Sequence, residues 1–234
     1  MKLSIIVPVY NEEKTITKIL DKLLKLNLKM KKEIIIVDDG SRDNSKKIIE
    51  GYLKNKKANK KIEYKFKIKE NGGKGSAIKE GIRLATGDII TIQDADLEYN
   101  PKDYKILIKP IIEGKEEVVY GSRFLTKHNP KYIIYFWGNK FLTLLTKILY
   151  NSKITDMETC YKVFKSGIIK NIDIKANHFD FEPEVTARIL KQGIRIKEIP
   201  ISYSPRSIEE GKKIGWKDGL QAIWTLIYWK FKKD

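Results

Sequence analysis

The sequence predicts an α/β fold, a mostly parallel sheet flanked by helices. Three observations carry that expectation. Through residue 123, short apolar runs alternate with helical-period segments in the order β-α-β-α-β-α-β-α-β, and such alternation implies right-handed crossovers in a largely parallel sheet. Several of the runs are continuously apolar, as strands covered on both faces must be. Finally, four strands end in polar groups, Tyr10/Asn11/Glu12, Asp38/Asp39, Asp94/Asp96 and Ser122/Arg123. Parallel strands place such ends on one rim, where open α/β sheets hold their ligands.

Residues 3–9 (LSIIVPV) read as the first buried strand, closed by Tyr10-Asn11-Glu12-Glu13. Ile16, Ile19, Leu20, Leu23 and Leu24 then recur at helical spacing. Residues 33–37 form a second strand, ending in Asp38-Asp39-Gly40-Ser41, and a helix follows, capped by Asp43 or Asn44. The Lys-rich piece 54–61 reads as a solvated loop, and 62–68 (IEYKFKI) alternates as a half-exposed strand does. Asn71-Gly72-Gly73-Lys74-Gly75 opens the next helix. Its glycines allow close backbone approach, its first N–H groups are expected to face an anion, and Lys74 adds charge there. Neither the Walker spacing nor G-x-G-x-x-G after the first strand is present, so ATP hydrolysis and nicotinamide chemistry are unsupported.

Residues 88–93 form a short buried strand that runs into Asp94-Ala95-Asp96. In a strand-like exit the two carboxylates point the same way, with Ala95 turned aside. At the carboxyl end of a buried strand they suit a hard divalent cation shared with a diphosphate; a turn and a helix cap are the usual fate of such Asp residues. Pro101 suits the first turn of a helix continuing through 106–112, and strand 117–120 leads to Gly121-Ser122-Arg123. After Arg123 the character changes. Residues 132–150 (YIIYFWGNKFLTLLTKILY) are aromatic and apolar, broken by Lys140 and Lys147. Residues 155–162 lead into a strand through Phe164. A helix over 179–191 carries Glu182 and Glu184 at its start, where they either complement the helix dipole or serve the site. Strand 194–203 carries Pro200 and so belongs at an edge or bulge, and 211–234 gives a basic loop and an amphipathic helix.

Of the 234 residues, 41% are hydrophobic and 33% charged, as in a soluble globular domain, and 47 Lys+Arg against 30 Asp+Glu give +17. That charge attracts polyanions. A nucleic-acid binder is one reading of it, but no recognition motif accompanies the charge and the acidic rim would repel phosphate without a metal. The single Cys160 excludes an internal disulfide, fits a reducing compartment and reads as a small buried residue. With one Cys and two His, zinc is not expected. The N-terminus enters a strand at once, so no signal peptide is expected, and no apolar run reaches the ~18 residues of a membrane span.

Four ordered motifs, SIIVPVYNEE, IIIVDDGSRDNS, NGGKGSAIKEGIRLATGDIITIQDADLEYNP and GSRF, together resemble family 2 glycosyltransferases of the GT-A fold. Within that family the chain is similar to polyprenyl-phosphate sugar transferases such as dolichyl-phosphate glucosyl- and mannosyltransferases. DMETCYKVF resembles their D-T-Q-C-G-F-K-type segment, with Tyr161 where those have Gly. The resemblance implies one domain over 1–234, with a nucleotide-sugar half (1–123) and an acceptor and membrane-surface half (124–234). It places Pro8, Tyr10, Glu12 and Asp39 around the base and ribose, gives Asp94 a nucleotide contact and makes Asp96 the ligand of Mg²⁺ or Mn²⁺ on the diphosphate. Gln93 would help position the sugar, Arg123 and Arg206 would face phosphate, and Lys212-Lys213 would lie in a basic closing loop. Asn139-Lys140 stands where mannosyl-type members carry an Arg. The implied reaction is inverting transfer from a nucleotide-sugar to a polyprenyl phosphate on the cytoplasmic membrane face. UDP-glucose or UDP-N-acetylglucosamine is favoured as donor, with GDP-mannose possible. A hydroxyl acceptor, as in glycan or capsule synthesis, is the alternative; it would need a carboxylate base, for which Asp156 is nearest. The segments 132–150 and 215–231 have the composition of interfacial helices on an anionic membrane surface.

Overall fold

The structure, a computed structural model, describes residues 1–55, 61–126, 132–206 and 215–232. The first half runs β1 (Lys2–Val9), α1 (Ile16–Lys25), β2 (Lys31–Asp38), α2 (Ser45–Lys54), β3 (Ile62–Ile68), α3 (Lys74–Leu84) and β4 (Ile89–Ile92). Then come α4 (Tyr104–Leu107), α5 (Lys109–Ile112), β5 (Val118–Ser122), α6 (Ile133–Tyr150), β6 (Lys162–Lys165), α7 (Ser166–Lys170), α8 (Phe181–Lys191), β7 (Ile196–Pro200) and α9 (Trp216–Phe231). One seven-stranded sheet has the order β3-β2-β1-β4-β6-β5-β7. Its pairings are parallel except for β6, which runs antiparallel between β4 and β5. The ends of β1, β2, β4 and β5 therefore share one rim, as the polar strand ends require.

Burial explains the apolar runs. Ile34 to Val37 in β2 and Val118 to Tyr120 in β5 have no solvent exposure, and each such aliphatic side chain contributes about 1.5–3 kcal/mol by leaving water. Helix α3 lies close on β1: a Cβ on Gly81 would collide with the side chain of Ile6. At the end of the sheet opposite the rim, the fully buried Glu33 of β2 ties three strands together. Its carboxylate meets Lys2 Nζ at 2.8 Å, Lys65 Nζ at 2.9 Å and the Ser4 hydroxyl at 2.5 Å, and accepts the Thr86 N–H at 2.6 Å. Burial works against its charge, yet these donors pull its pKa down to about 2.

Three local expectations change. The helix anticipated over 106–112 is two short pieces after a 3₁₀ turn at Pro101–Asp103. Pro110 lacks the N–H that would continue the ladder, and its ring collides with the carbonyl of Ile106 in a continuous helix. The 194–203 strand shrinks to Ile196–Pro200 and lies at the sheet edge, the place expected for Pro200. Helix α8 begins at Phe181 rather than 179, since His178 N–H turns to the Asp180 carboxylate at 2.8 Å. At the second helix, Asn44 is the N-cap residue but Asp43 supplies the side chain, accepting the Ser45 N–H at 2.9 Å.

A second, smaller core joins α6, α8 and α9 through Leu142, Met157, Ala187, Leu226 and Trp229. The outward faces of α6 and α9 are apolar. Ile134, Trp137, Phe141, Leu144 and Ile148 on α6 and Trp216, Leu220, Trp224 and Phe231 on α9 are each more than half exposed. Among the described residues no helix is long and apolar enough to cross a membrane.

Candidate active site

The rim divides into three clusters, each built from strand ends distant in sequence. The first lies over β2. Asp39 accepts the Gly73 N–H at 2.7 Å and the Gly72 N–H at 3.1 Å, and meets Lys69 Nζ at 2.6 Å. Gly73 adopts φ +93°, and a Cβ there would strike His178 and the Asn177 carbonyl. The next N–H groups of α3 are also taken: Gly75 donates to His178 O at 3.2 Å and Ser76 to Asn177 O at 2.9 Å. The anion seat expected at this helix start is thus filled from within, by a carboxylate and two carbonyls. Pro8 and Tyr10 flank this cluster, half-buried.

The second cluster surrounds the Asp94-Ala95-Asp96 turn. Each of the two carboxylates faces its own cation. Lys74 Nζ lies 3.0 Å from Asp94 Oδ1 and 2.9 Å from Glu182 Oε1, with the Phe179 ring 5.8 Å away. Burial opposes its charge, but Asp94 and Glu182 hold the Lys74 ammonium well above its ordinary pKa. Asp96 meets Arg206 Nη2 at 3.1 Å and accepts the Glu98 N–H at 3.1 Å. Burial, then the charges of Asp94 and Glu98, push its carboxyl up to about 7 against the pull of Arg206. The turn continues through Leu97 at φ +68°, a region uncommon for residues other than glycine, held here by the flanking contacts.

Arg206 is the link between strand ends. Its Nη1 reaches Glu12 at 3.2 and 3.4 Å, its backbone N–H donates to Glu98 at 2.8 Å, and its Nε is buried without a hydrogen-bond partner among the described residues. Glu98 also accepts from the Tyr203 hydroxyl at 3.0 Å, fastening the 203–206 segment to the turn. Sequence reasoning passed over Glu98, because its partners lie more than a hundred residues away; an acid two positions after Asp96 was its one local signal.

In the third cluster, at the end of β5, Arg123 is gripped by Asp156: Nε and the backbone N–H donate to Oδ2 at 2.7 and 2.9 Å, and Nη2 to Oδ1 at 2.6 Å. Asp156 is fully buried, and its own N–H and that of Thr155 donate to Glu198 at 2.9 and 2.7 Å. The proposed phosphate contact and the proposed base are thus partners of each other. Gln93 is fully buried, accepting from the Tyr161 hydroxyl at 2.7 Å and donating to its neighbour's carbonyl at 3.0 Å. Cys160 is buried, which raises its thiol pKa and makes it inert. Lys212 and Lys213 lie outside the described residues.

Helix α6 begins beside the third cluster. Phe136 packs edge-on against Phe124, the neighbour of Arg123, at 5.4 Å, and Lys140 Nζ sits 4.0 Å over the same ring. Gln221 of α9 donates to Asp180 at 3.1 Å, at the start of the helix bearing Glu182. The apolar faces are therefore anchored directly to the rim.

A family model described as glycosyl transferase family 2 matches residues 4–173. The chain is 29% identical to the UDP-N-acetylglucosamine–dolichyl-phosphate N-acetylglucosaminyltransferase of Methanococcus voltae, over 98% of this chain and 96% of that protein. It is 28% identical to the dolichyl-phosphate beta-glucosyltransferase of Dictyostelium discoideum, over 98% of this chain and 74% of that protein. Glucosyl-3-phosphoglycerate synthase from Mycobacterium tuberculosis, solved with Mn²⁺, uridine diphosphate and phosphoglyceric acid, superposes with a TM-score of 0.74. That superposition covers 100% of this chain and 80% of the other at 17% identity, a likeness of fold, which is of the GT-A type.

Proposed function

Because the chain belongs to glycosyl transferase family 2, and is a glycosyltransferase, we propose that it moves a sugar from a nucleotide-sugar to a polyprenyl phosphate of the dolichyl type. The transfer inverts the anomeric centre and takes place on the cytoplasmic face of a membrane. UDP-glucose or UDP-N-acetylglucosamine is the favoured donor, in keeping with the reactions named for the two relatives. The observation that carries the reading is the exposed apolar face of α6 and α9, joined to the rim through Phe136 and Phe124. A lipid-linked acceptor needs such a surface beside the site, and a positive chain suits an anionic leaflet.

The donor end fits a divalent cation, Mg²⁺ or Mn²⁺. Asp96 is a hard oxygen donor in a surplus of carboxylates, and a cationic guanidinium already sits on it. The described residues hold no group of three metal-ligating side chains, so diphosphate oxygens would complete the set. When bound, the cation would stabilise charge on the departing diphosphate. Arg206 would add its planar fork to phosphate. A phosphate acceptor is already anionic and needs no general base, which accords with Asp156 being committed to Arg123. Initial rates with a short-chain polyprenyl phosphate, a panel of UDP- and GDP-sugars and Mg²⁺ or Mn²⁺ test this. Product should form, and EDTA or Asp96→Ala should abolish it. Transfer to a sugar hydroxyl with none to the lipid phosphate would overturn it.

A further inference from the structure

We propose that Arg206 is a place-holder cation: in the ligand-free protein its guanidinium fills the seat on Asp96 that a divalent cation takes, so metal and nucleotide diphosphate enter together and displace it. This rests on the donor-site reading above and goes beyond it, since it fixes how the site is loaded.

The geometry supports the exchange from both sides. One guanidinium bridges the ends of β1 and β4, with Nη1 on Glu12 at 3.2 Å and Nη2 on Asp96 at 3.1 Å. Both oxygens of Asp96 are occupied, Oδ1 by the Glu98 N–H and Oδ2 by Arg206. A cation bound to Oδ2 would lie against the guanidinium, and like charges in so buried a place repel strongly. The seat is also a poor fit for Arg206 itself, because its Nε is buried with no acceptor among the described residues. A strong donor left in that condition is costly. A diphosphate offers several oxygens in a geometry that a guanidinium fork matches, and so can satisfy the Nε that the two carboxylates leave alone.

Neither ligand should load well by itself. Metal alone finds an engaged Asp96 and no further cluster of protein ligands among the described residues. Diphosphate alone meets Glu12, Asp94, Asp96 and Glu98. Together they exchange partners: the metal takes Asp96, the diphosphate completes the metal's ligands, and Arg206 moves from carboxylate to phosphate. Charge around Asp96 stays balanced throughout, and the two ligands are coupled by a reciprocal factor.

The test is Mn²⁺ binding, read from the electron-paramagnetic-resonance signal of free Mn²⁺, with and without UDP. The parent should bind Mn²⁺ weakly alone and much more tightly with UDP. Arg206→Met should bind Mn²⁺ alone at least tenfold tighter, and UDP should improve its affinity by a correspondingly smaller factor. Glu12→Gln, which keeps Arg206 but removes half of its anchor, should also tighten bare Mn²⁺ binding. A simple charge effect predicts the opposite sign for that variant, because it makes the rim less negative. Melting curves establish that each variant is folded; should Arg206→Met fail to fold, Glu12→Gln decides alone. Unchanged or weaker Mn²⁺ binding by Glu12→Gln overturns the place-holder. A parent that binds no Mn²⁺ even with UDP would instead bring down the donor-site reading.

Discussion

Asp156→Asn separates a structural carboxylate from a chemical one, and its cost follows from its contacts. The side chain receives three N–H groups of Arg123, two from the guanidinium and one from the backbone, at 2.6 to 2.9 Å, with no solvent exposure of its own. Asn keeps the shape but loses the charge, and its amide must turn an N–H toward a guanidinium that donates only. Breaking a buried ion pair from one side costs about 3–5 kcal/mol, since the remaining charge stays buried. For a domain of this size 1 kcal/mol moves the midpoint by about 2–4 °C, so the melting temperature should fall by roughly 6–20 °C. Removing both charges in Arg123→Met/Asp156→Leu should restore part of that loss, the sign of a coupled pair. The assay pairs thermal unfolding with initial rates at a temperature where every variant is folded. Activity of the folded Asn variant should fall far less than the ~10²–10⁴-fold of a lost general base. A variant that melts within about 1 °C of the parent yet loses activity on that scale would refute the argument and return Asp156 to the chemistry.

Two further outcomes are expected. Glu33 has a pKa of about 2 in the folded chain against an ordinary 4.5, so it contributes roughly 3 kcal/mol of stability above pH ~4.5, lost as pH falls toward 2. Urea unfolding across that window should show a slope that Glu33→Gln flattens; equal slopes in the two proteins would contradict it. On the apolar face, Trp137 and Trp224 are 65% and 67% exposed, so Trp137→Glu and Trp224→Glu should leave stability within about 0.5 kcal/mol. Each should lower partitioning onto anionic vesicles by roughly tenfold or more, the equivalent of one buried aromatic, and an unaltered pellet in sedimentation would remove the membrane role from this face.

What was legible in the sequence is what has a short period. Buried strands announce themselves as apolar runs, and because parallel strands share a direction, the sequence alone places Glu12, Asp39, Asp96 and Arg123 on one rim. Pairings across that rim have no such signature. Glu12 and Arg206 are 194 positions apart, and nothing local in either segment says that one guanidinium will span both Glu12 and Asp96. Asp39 illustrates a subtler limit: the acid and the Gly-rich stretch are both plain in the sequence, yet their use of each other removes free N–H groups expected of the helix start. The antiparallel β6 has four residues, too few for alternation to reveal direction. Glu33 looked like a polar strand start because its cations, Lys2 and Lys65, come from neighbouring strands.

The position of β6 governs how this chain must emerge from a ribosome. Among the described strands, β5 pairs with β6 and β7, both of which are synthesised later. Its five residues are all buried in the finished sheet. At elongation rates of 5–20 residues per second, roughly 2–8 s separate the end of β5 from the arrival of β6. During that interval β3, β2, β1 and β4 can already assemble, while VVYGS has no neighbour and the outer edge of β4 is open. Such a pause invites holding by a chaperone, or pairing with another nascent chain. Cutting near residue 123 would not give pieces that fold apart, because β4 and β5 both complete their pairing with strands from the second half.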